Sequence, residues 1–182
     1  MTLRREEPGM HQSTGYSSSV FDPVLAPLLD VMGPTVQFVT TPRPGEPCVM
    51  RGVIPPGAVI PIHSHPDPET FIQLSGEVDA LAMASEGFAW ARLAAGSVCH
   101  VPGGVRHAFR NSSAEPSVGI IATTARLGGF FAEIGRPVEP DAGAEPPDEA
   151  TLRHFLDTAA RYGHWTGTPE DNAAVGVTLP KP

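Results

Sequence analysis

The sequence predicts an all-β domain, with strands folded as a jelly-roll (double-stranded β-helix) barrel and short helices on its N-terminal and C-terminal sides. Three observations predict it. The 182 residues include 21 prolines and 19 glycines, with 41% hydrophobic and 18% charged residues, a mixture suited to short strands joined by many turns. About eight short apolar runs lie between Val36 and Thr124, punctuated by "PRPGEP", "PPG", "SHPDP", "SGE", "SEG", "AAG", "PGG" and "NSSAEP". A chain of this length suits one domain with appendages, and that number of strands suits two sheets folded onto each other.

The elements follow in order. Residues 1–35 are read as a polar, Ser- and Gly-rich arm ending in a short helix at "FDPVLAPLLDVM", where Asp22 offers an N-cap, Pro23 a first helical residue, and Val24, Leu25, Leu28 and Leu29 one apolar face. Residues 36–124 are the barrel. Residues 125–182 are a helical extension: "LGGFFAEIGRP" brings Phe130, Phe131 and Ile134 to pack on the barrel, and "VEPDAGAEPPDE" is a proline-rich linker. In "PDEATLRHFLDTAARYGHW", Leu152, Phe155, Leu156 and Ala159 hold helical spacing behind Asp148 as N-cap.

Composition also excludes. A net charge of −8, with twelve scattered basic residues, argues against a nucleic-acid surface. Cys48 and Cys99 lack CxxC spacing and read as buried packing residues rather than a disulfide or zinc site. The N-terminal stretch has no apolar core of the signal-peptide kind, and no apolar run approaches membrane-spanning length, so a cytoplasmic protein is expected.

The stretch "GAVIPIHSHPDPETFIQLSG", Gly57 to Gly76, carries the chemistry. On a strand, His63 and His65 project to one face. Pro66, Asp67 and Pro68 read as a turn that returns Glu69 on a neighbouring strand to face the same place. Two imidazoles and a carboxylate converging is a metal-site arrangement that needs a further ligand. "GSVCHVPGGVRHAFRN" supplies His107 at the start of a return strand.

These two stretches resemble the paired motifs of the cupin superfamily. Gly57, His63, His65, Glu69 and Gly76 match the first motif, and Gly96, Pro102, Gly104, His107 and Asn111 the second, with 19 residues between them. The resemblance covers roughly residues 36–124 and is that of a single-barrel cupin. It implies that His63, His65, Glu69 and His107 bind one divalent transition metal inside the barrel, a donor set suited to iron, manganese, nickel, cobalt, copper or zinc. The layout, with "GGFFAEIG" and a helical tail after the barrel, is also similar to small bacterial cupins related to quercetinases, flavonol 2,4-dioxygenases. That likeness implies a metal-dependent dioxygenase for a small substrate, with Glu69 as both ligand and catalytic base; metal-dependent isomerases or lyases and non-catalytic ligand-binding cupins are the alternatives.

Strand parity places Phe71, Gln73 and Phe109 inside the barrel as candidate substrate contacts. The motif glycines, Pro102 and Asn111 read as turn and hairpin residues. His100 reads as an ordinary strand residue, and His11, His154 and His164 as surface or packing residues. Trp90 and Trp165 read as packing or interface residues, and Arg51 and Arg106 as rim charges. If Glu69, Phe71 and Gln73 face inward, Ile72 and Leu74 face outward, and a two-fold homodimer over them is expected unless the chain's own tail covers that face.

Overall fold

A computed structural model describes residues 20–84, 87–139 and 147–178. Twelve strands and three helices occur among them: β1 Leu29–Asp30, β2 Thr35–Phe38, β3 Pro47–Ile54, β4 Val59–Ser64, β5 Glu69–Ser75, β6 Glu77–Ala84, β7 Gly87–Ala94, β8 Val98–Val101, β9 His107–Arg110, β10 Ser117–Thr124, α1 Ala125–Ile134, β11 Arg136–Pro137, α2 Glu149–Arg161, β12 Trp165–Thr166 and α3 Pro169–Ala174. One sheet runs β11-β1-β2-β3-β10-β5-β8 and the other β12-β4-β9-β6-β7, with antiparallel pairing between neighbours. The two sheets face each other as a jelly roll.

Between the sheets lies an apolar interior of Val78, Ala80, Leu93 and Phe109, with Ile54, Ile60, Phe71 and Cys99 packed against it. Two further cores lie outside the barrel. Val31, Val36, Leu127, Phe130, Ile134 and Ala159 gather under α1 and α2, and Ile62, Leu81 and Ala108 gather with Trp90, Trp165 and Val175 on the outer face of the second sheet. Cys48 and Cys99 are free thiols, the first fully buried.

The expected helix at residues 22–29 does not form. Asp22 Oδ1 accepts from Val24 N at 2.9 Å, and Asp22 O accepts from Ala26 N at 3.0 Å, which makes a single turn. Pro27 then ends it, because its ring lacks an N–H and pushes Ala26 away from helical ψ, and the chain goes into β1 instead. The arm before residue 20 lies outside the described residues. Nine strands, β2 to β10, stand among the described residues where about eight were expected.

Both helices after the barrel form; α2 starts at the N-cap the sequence predicts, and α1 starts two residues before the predicted stretch. Thr124 caps α1 through Leu127 N, and Asp148 caps α2 through Thr151 N at 2.8 Å. Phe130 sits at the centre of an aromatic group, 5.6 Å from Phe131, 6.1 Å from Phe155 and 5.5 Å from Tyr162 between ring centroids. On α2 the stripe divides, with Ala159 buried and Leu152 and Leu156 exposed. These helices pack beside β1 and β2, and they leave the outer face of β5 and β8 uncovered: Ile72 is 38% exposed, Leu74 50% and Val98 63%. No described helix is long and apolar enough to cross a membrane.

Candidate metal centre

Alternation alone cannot bring both Ile60 and His63 into the barrel, since they stand three positions apart. The register of β4 on β9 shows how it is done: Ile60 pairs with Phe109 and His63 with His107, so β4 spends three residues where β9 spends two. This bulge at Pro61 and Ile62 turns Ile62 to the outer core and sets His63 facing inward beside His107. His65 follows just past the strand, and its main-chain carbonyl accepts from Gly104 N at 2.7 Å. Gly104 takes φ +81°, and a Cβ on its neighbour Gly103 would stand 2.1 Å from Pro66 O, so the two glycines allow these loops to meet.

Glu69, at the start of β5, comes to the same point from the other sheet. The ring centroids of His63 and His107 are 4.2 Å apart, those of His65 and His107 5.1 Å, and those of His63 and His65 5.8 Å. One nitrogen from each ring lies within 4.8 Å of the others. That spread is close to the ~4 Å spanned by two metal–nitrogen bonds of about 2.1 Å.

Ring orientation is fixed by three main-chain bonds. His63 Nδ1 donates to Pro61 O at 2.8 Å, His65 Nδ1 to Asp67 O at 2.8 Å and His107 Nδ1 to Val105 O at 2.9 Å. A carbonyl only accepts, so each Nδ1 carries a hydrogen and Nε2 is the atom each ring offers as a lone pair when neutral; at His65 that Nε2 instead donates to the Glu69 carboxylate. Glu69 Oε2 is 3.1 Å from His65 Nε2 and 3.3 Å from His107 Nε2. His107 Nε2 is nevertheless buried without an aligned hydrogen-bond partner, a costly state for a polar atom unless something else meets it there. Three imidazole nitrogens, an adjacent carboxylate and one orphaned lone pair fit a divalent transition metal.

Charge in the cluster agrees. Desolvation and the neighbouring His107 push His63 down to about 3, so it is neutral and ready to ligate. Burial alone would raise Glu69, but the imidazoles of His107 and His65 outweigh it and hold the carboxyl at about 2. Burial also works against charging His65, yet the hydrogen bond and charge of Glu69 raise its pKa.

A second layer holds the loop after His65. Asp67 is buried and takes hydrogen bonds from Thr124 Oγ1 and Arg126 Nη1, both at 2.6 Å, while Thr123 Oγ1 donates to Pro68 O at 2.8 Å. Sequence reasoning read Asp67 as a turn residue and gave Arg126 no role, because a separation of 59 residues leaves no local signal. His164, read as a surface or packing residue, packs. Its ring lies 4.2 Å from Phe130 and 5.1 Å from His65, and its Nε2 is buried with no partner.

Of the candidate substrate contacts, Phe71 and Phe109 stack obliquely at 4.6 Å, and Phe109 meets the His107 ring at 6.0 Å, so they form an apolar wall beside the cluster. Gln73 does not join them there. It lies four strand residues from Glu69, about 13 Å at ~3.3 Å per residue, and its Nε2 donates to Ser75 O at 2.7 Å and Ser117 Oγ at 2.8 Å. Asn111 donates to Ile54 O and Glu115 O and holds a loop. Arg106 stacks on Trp165 at 3.9 Å, and Arg51 donates to Gln37 Oε1 at 3.1 Å.

Comparison with known proteins agrees with the architecture. Residues 50–122 match the family model described as a cupin domain, a span that lies within the two-sheet barrel. Among solved structures it is similar to KdgF from Halomonas sp., at 18% identity over 59% of this chain and 94% of that one, with a TM-score of 0.50. It is also similar to the cupin domain of Cnp3 from Schizosaccharomyces pombe, at 16% identity over 58% and 72% of the two chains, with a TM-score of 0.50. A Klebsiella pneumoniae protein with a double-stranded β-helix domain aligns at 22% identity over 60% and 91%, with a TM-score of 0.49. Likeness at such identities concerns the fold alone. A search of curated proteins finds no match.

Acid should destabilise the metal-free chain. His63 at about 3 and His164 at about 4, both from 6.5, bind fewer protons folded than unfolded, so the stability they give is present above pH 6.5 and is lost as pH falls toward those values. Glu69, at about 2 from 4.5, adds a loss between those two values. His65, raised, runs oppositely: its contribution is present below 6.5 and is lost as pH rises through its folded pKa. Thermal unfolding followed by circular dichroism in chelator should show a lower midpoint at pH 4 than at pH 7; a higher one at pH 4 contradicts this account.

Proposed function

We propose that the barrel holds one divalent transition metal, among iron, manganese, nickel, cobalt, copper and zinc, through His63, His65, Glu69 and His107, and that it serves as a dioxygenase site for a small enol, phenolic or catechol-like substrate. The observation that carries the metal reading is the set of three Nδ1–H bonds to main-chain carbonyls, which leave three Nε2 atoms beside one carboxylate, one of them orphaned. A bound ion of this kind supplies Lewis-acid polarisation of a substrate oxygen and, when redox-active, electron exchange with dioxygen. The rings of Phe71 and Phe109 offer a flat apolar wall to an unsaturated substrate and exclude water from that side. Glu69, the carboxylate of the set, takes the substrate's hydroxyl proton.

Elemental analysis of the purified chain should find about one metal per chain, and replacing His63 and His65 together with Ala should abolish it. Metal retained in full by the double variant contradicts the ligand assignment. Oxygen uptake against a panel of enols and catechols tests the reaction. Glu69→Gln should keep part of the metal and lose most turnover, because an amide oxygen coordinates weakly and accepts no proton. Turnover without oxygen consumption would instead make the site that of a metal-dependent isomerase or lyase.

We also propose that the exposed face around Ile72, Leu74 and Val98 is covered by a second copy of the chain in a two-fold homodimer. Light scattering behind a sizing column should give twice the 19.2 kDa chain mass, and Leu74→Glu should return it to one chain. A wild-type chain that elutes as a monomer at micromolar concentration contradicts the proposal.

A further inference from the structure

The segment from His164 to Asn172 meets the ligand-bearing stretch at each residue from 62 to 65. Asn172 is fully buried, and its Oδ1 accepts from Ile62 N at 3.0 Å, while its Nδ2 donates to Gly167 O at 3.2 Å and Thr168 O at 2.9 Å. Gly167 N donates to Ile62 O at 2.8 Å, and a Cβ at Gly167 would stand 2.5 Å from Ile62 Cγ2, so only glycine lets the chain come this close. Thr166 pairs with His63 and Trp165 with Ser64. His164 lays its ring 5.1 Å from that of His65.

Without this segment, β4 would be the open edge of its sheet. Its bulge, which needs an irregular backbone at Pro61 and Ile62, would then be held from the β9 side alone. Asn172 supplies from a side chain the acceptor that a longer partner strand would have offered Ile62. An open groove of about 520 Å³, bordered by Ile62, Leu81, Trp90, Arg106, Asp171 and Val175, runs beside this segment along the outer face of the sheet. A segment held at a sheet edge by one two-residue strand and a few single bonds is suited to opening locally without unfolding the barrel.

We propose that residues 164–172 form a strap whose docking is thermodynamically linked to loading of the metal centre, with Asn172 as the positioning residue. The proposal rests on the reading that His63, His65, Glu69 and His107 hold a divalent ion. Whatever fixes His63 and His65 in their ligating positions favours the docked strap, and the docked strap by the same amount favours the ion.

Co²⁺ serves as the probe, its uptake read by visible absorption and chelator competition on the full chain. In wild type, saturating Co²⁺ should slow hydrogen exchange of the Gly167 amide about tenfold, and Asn172→Ala should weaken Co²⁺ binding about tenfold, as loss of outer-layer support to metal ligands does. Ile134→Ala, which thins the core under α1, should lower stability while leaving Co²⁺ affinity as in wild type. If Asn172→Ala does not fold, the exchange experiment on wild type decides alone. Co²⁺ bound stoichiometrically with Gly167 exchange unchanged overturns the linkage and leaves the metal reading standing, as does an Ile134→Ala chain that loses as much affinity as Asn172→Ala. A wild-type chain that takes up no Co²⁺ overturns both.

Discussion

Three imidazole N–H groups, each donated to a main-chain carbonyl two residues away, govern how this barrel is built. An imidazole has two nitrogens and a freely turning Cα–Cβ bond, so a histidine placed on a strand has no fixed aim. Tying Nδ1 to the local backbone removes both freedoms and converts ring direction into a property of backbone conformation. The backbone must then be held more firmly than an ordinary strand end. The pairing of His63 with His107, the bond from Gly104 to the His65 carbonyl and the anchoring of Asp67 by Thr124 and Arg126 each meet that demand.

Such a cluster is a burden on the fold until something neutralises it. A buried carboxylate among three imidazoles must be desolvated, and burial opposes its ionisation even though its partners win. The apolar interior below, from Phe71 and Phe109 to Val78 and Leu93, gives the barrel the stability to carry this arrangement. The outer cores add to it from behind, through the aromatic group on Phe130 and the Trp90 and Trp165 side chains. In this chain the appendages are thus structural partners of the site: the loop after His65 leans on α1, and β4 leans on β12.

Much of this was legible in the sequence because the informative signals were local. Strand alternation and turn residues marked the barrel, and the spacing of His63, His65 and Glu69 survives in the structure as three inward side chains from two sheets. Gly57 and Asn111, read as shaping residues, meet through the main chain: Gly57 N donates to Asn111 O at 2.8 Å, and Asn111 N donates to the neighbouring Ala58 O at 2.9 Å. What stayed hidden was either non-local or a contest between local signals. Asp67 with Arg126 and Ile62 with Asn172 are pairings over 59 and 110 residues that no periodicity records. At residues 22–29 a good N-cap competed with Pro27, and the proline prevailed. Parity correctly put Gln73 inside yet said nothing of how far along the barrel it lies, and its amide belongs to Ser75 and Ser117.

The bulge in β4 gives that strand a dependence on length as well as on composition. Ile60 and Ile62 look interchangeable in the sequence, two apolar residues at strand spacing, yet one belongs to the interior and the other to the outer core. The extra residue between Ile60 and His63 acts as a phase shift in the alternation. Straightening the bulge at the present length would restore strict alternation at the wrong phase, carry Ile62 into the barrel and swing both imidazoles to the opposite side of the sheet, whereas removing one residue there would let β4 alternate strictly with His63 still facing inward. Conservative substitutions at Val59, Ile60 and Ile62 leave the phase intact, so the strand is more sensitive to the number of its residues than to the exact shape of its apolar ones.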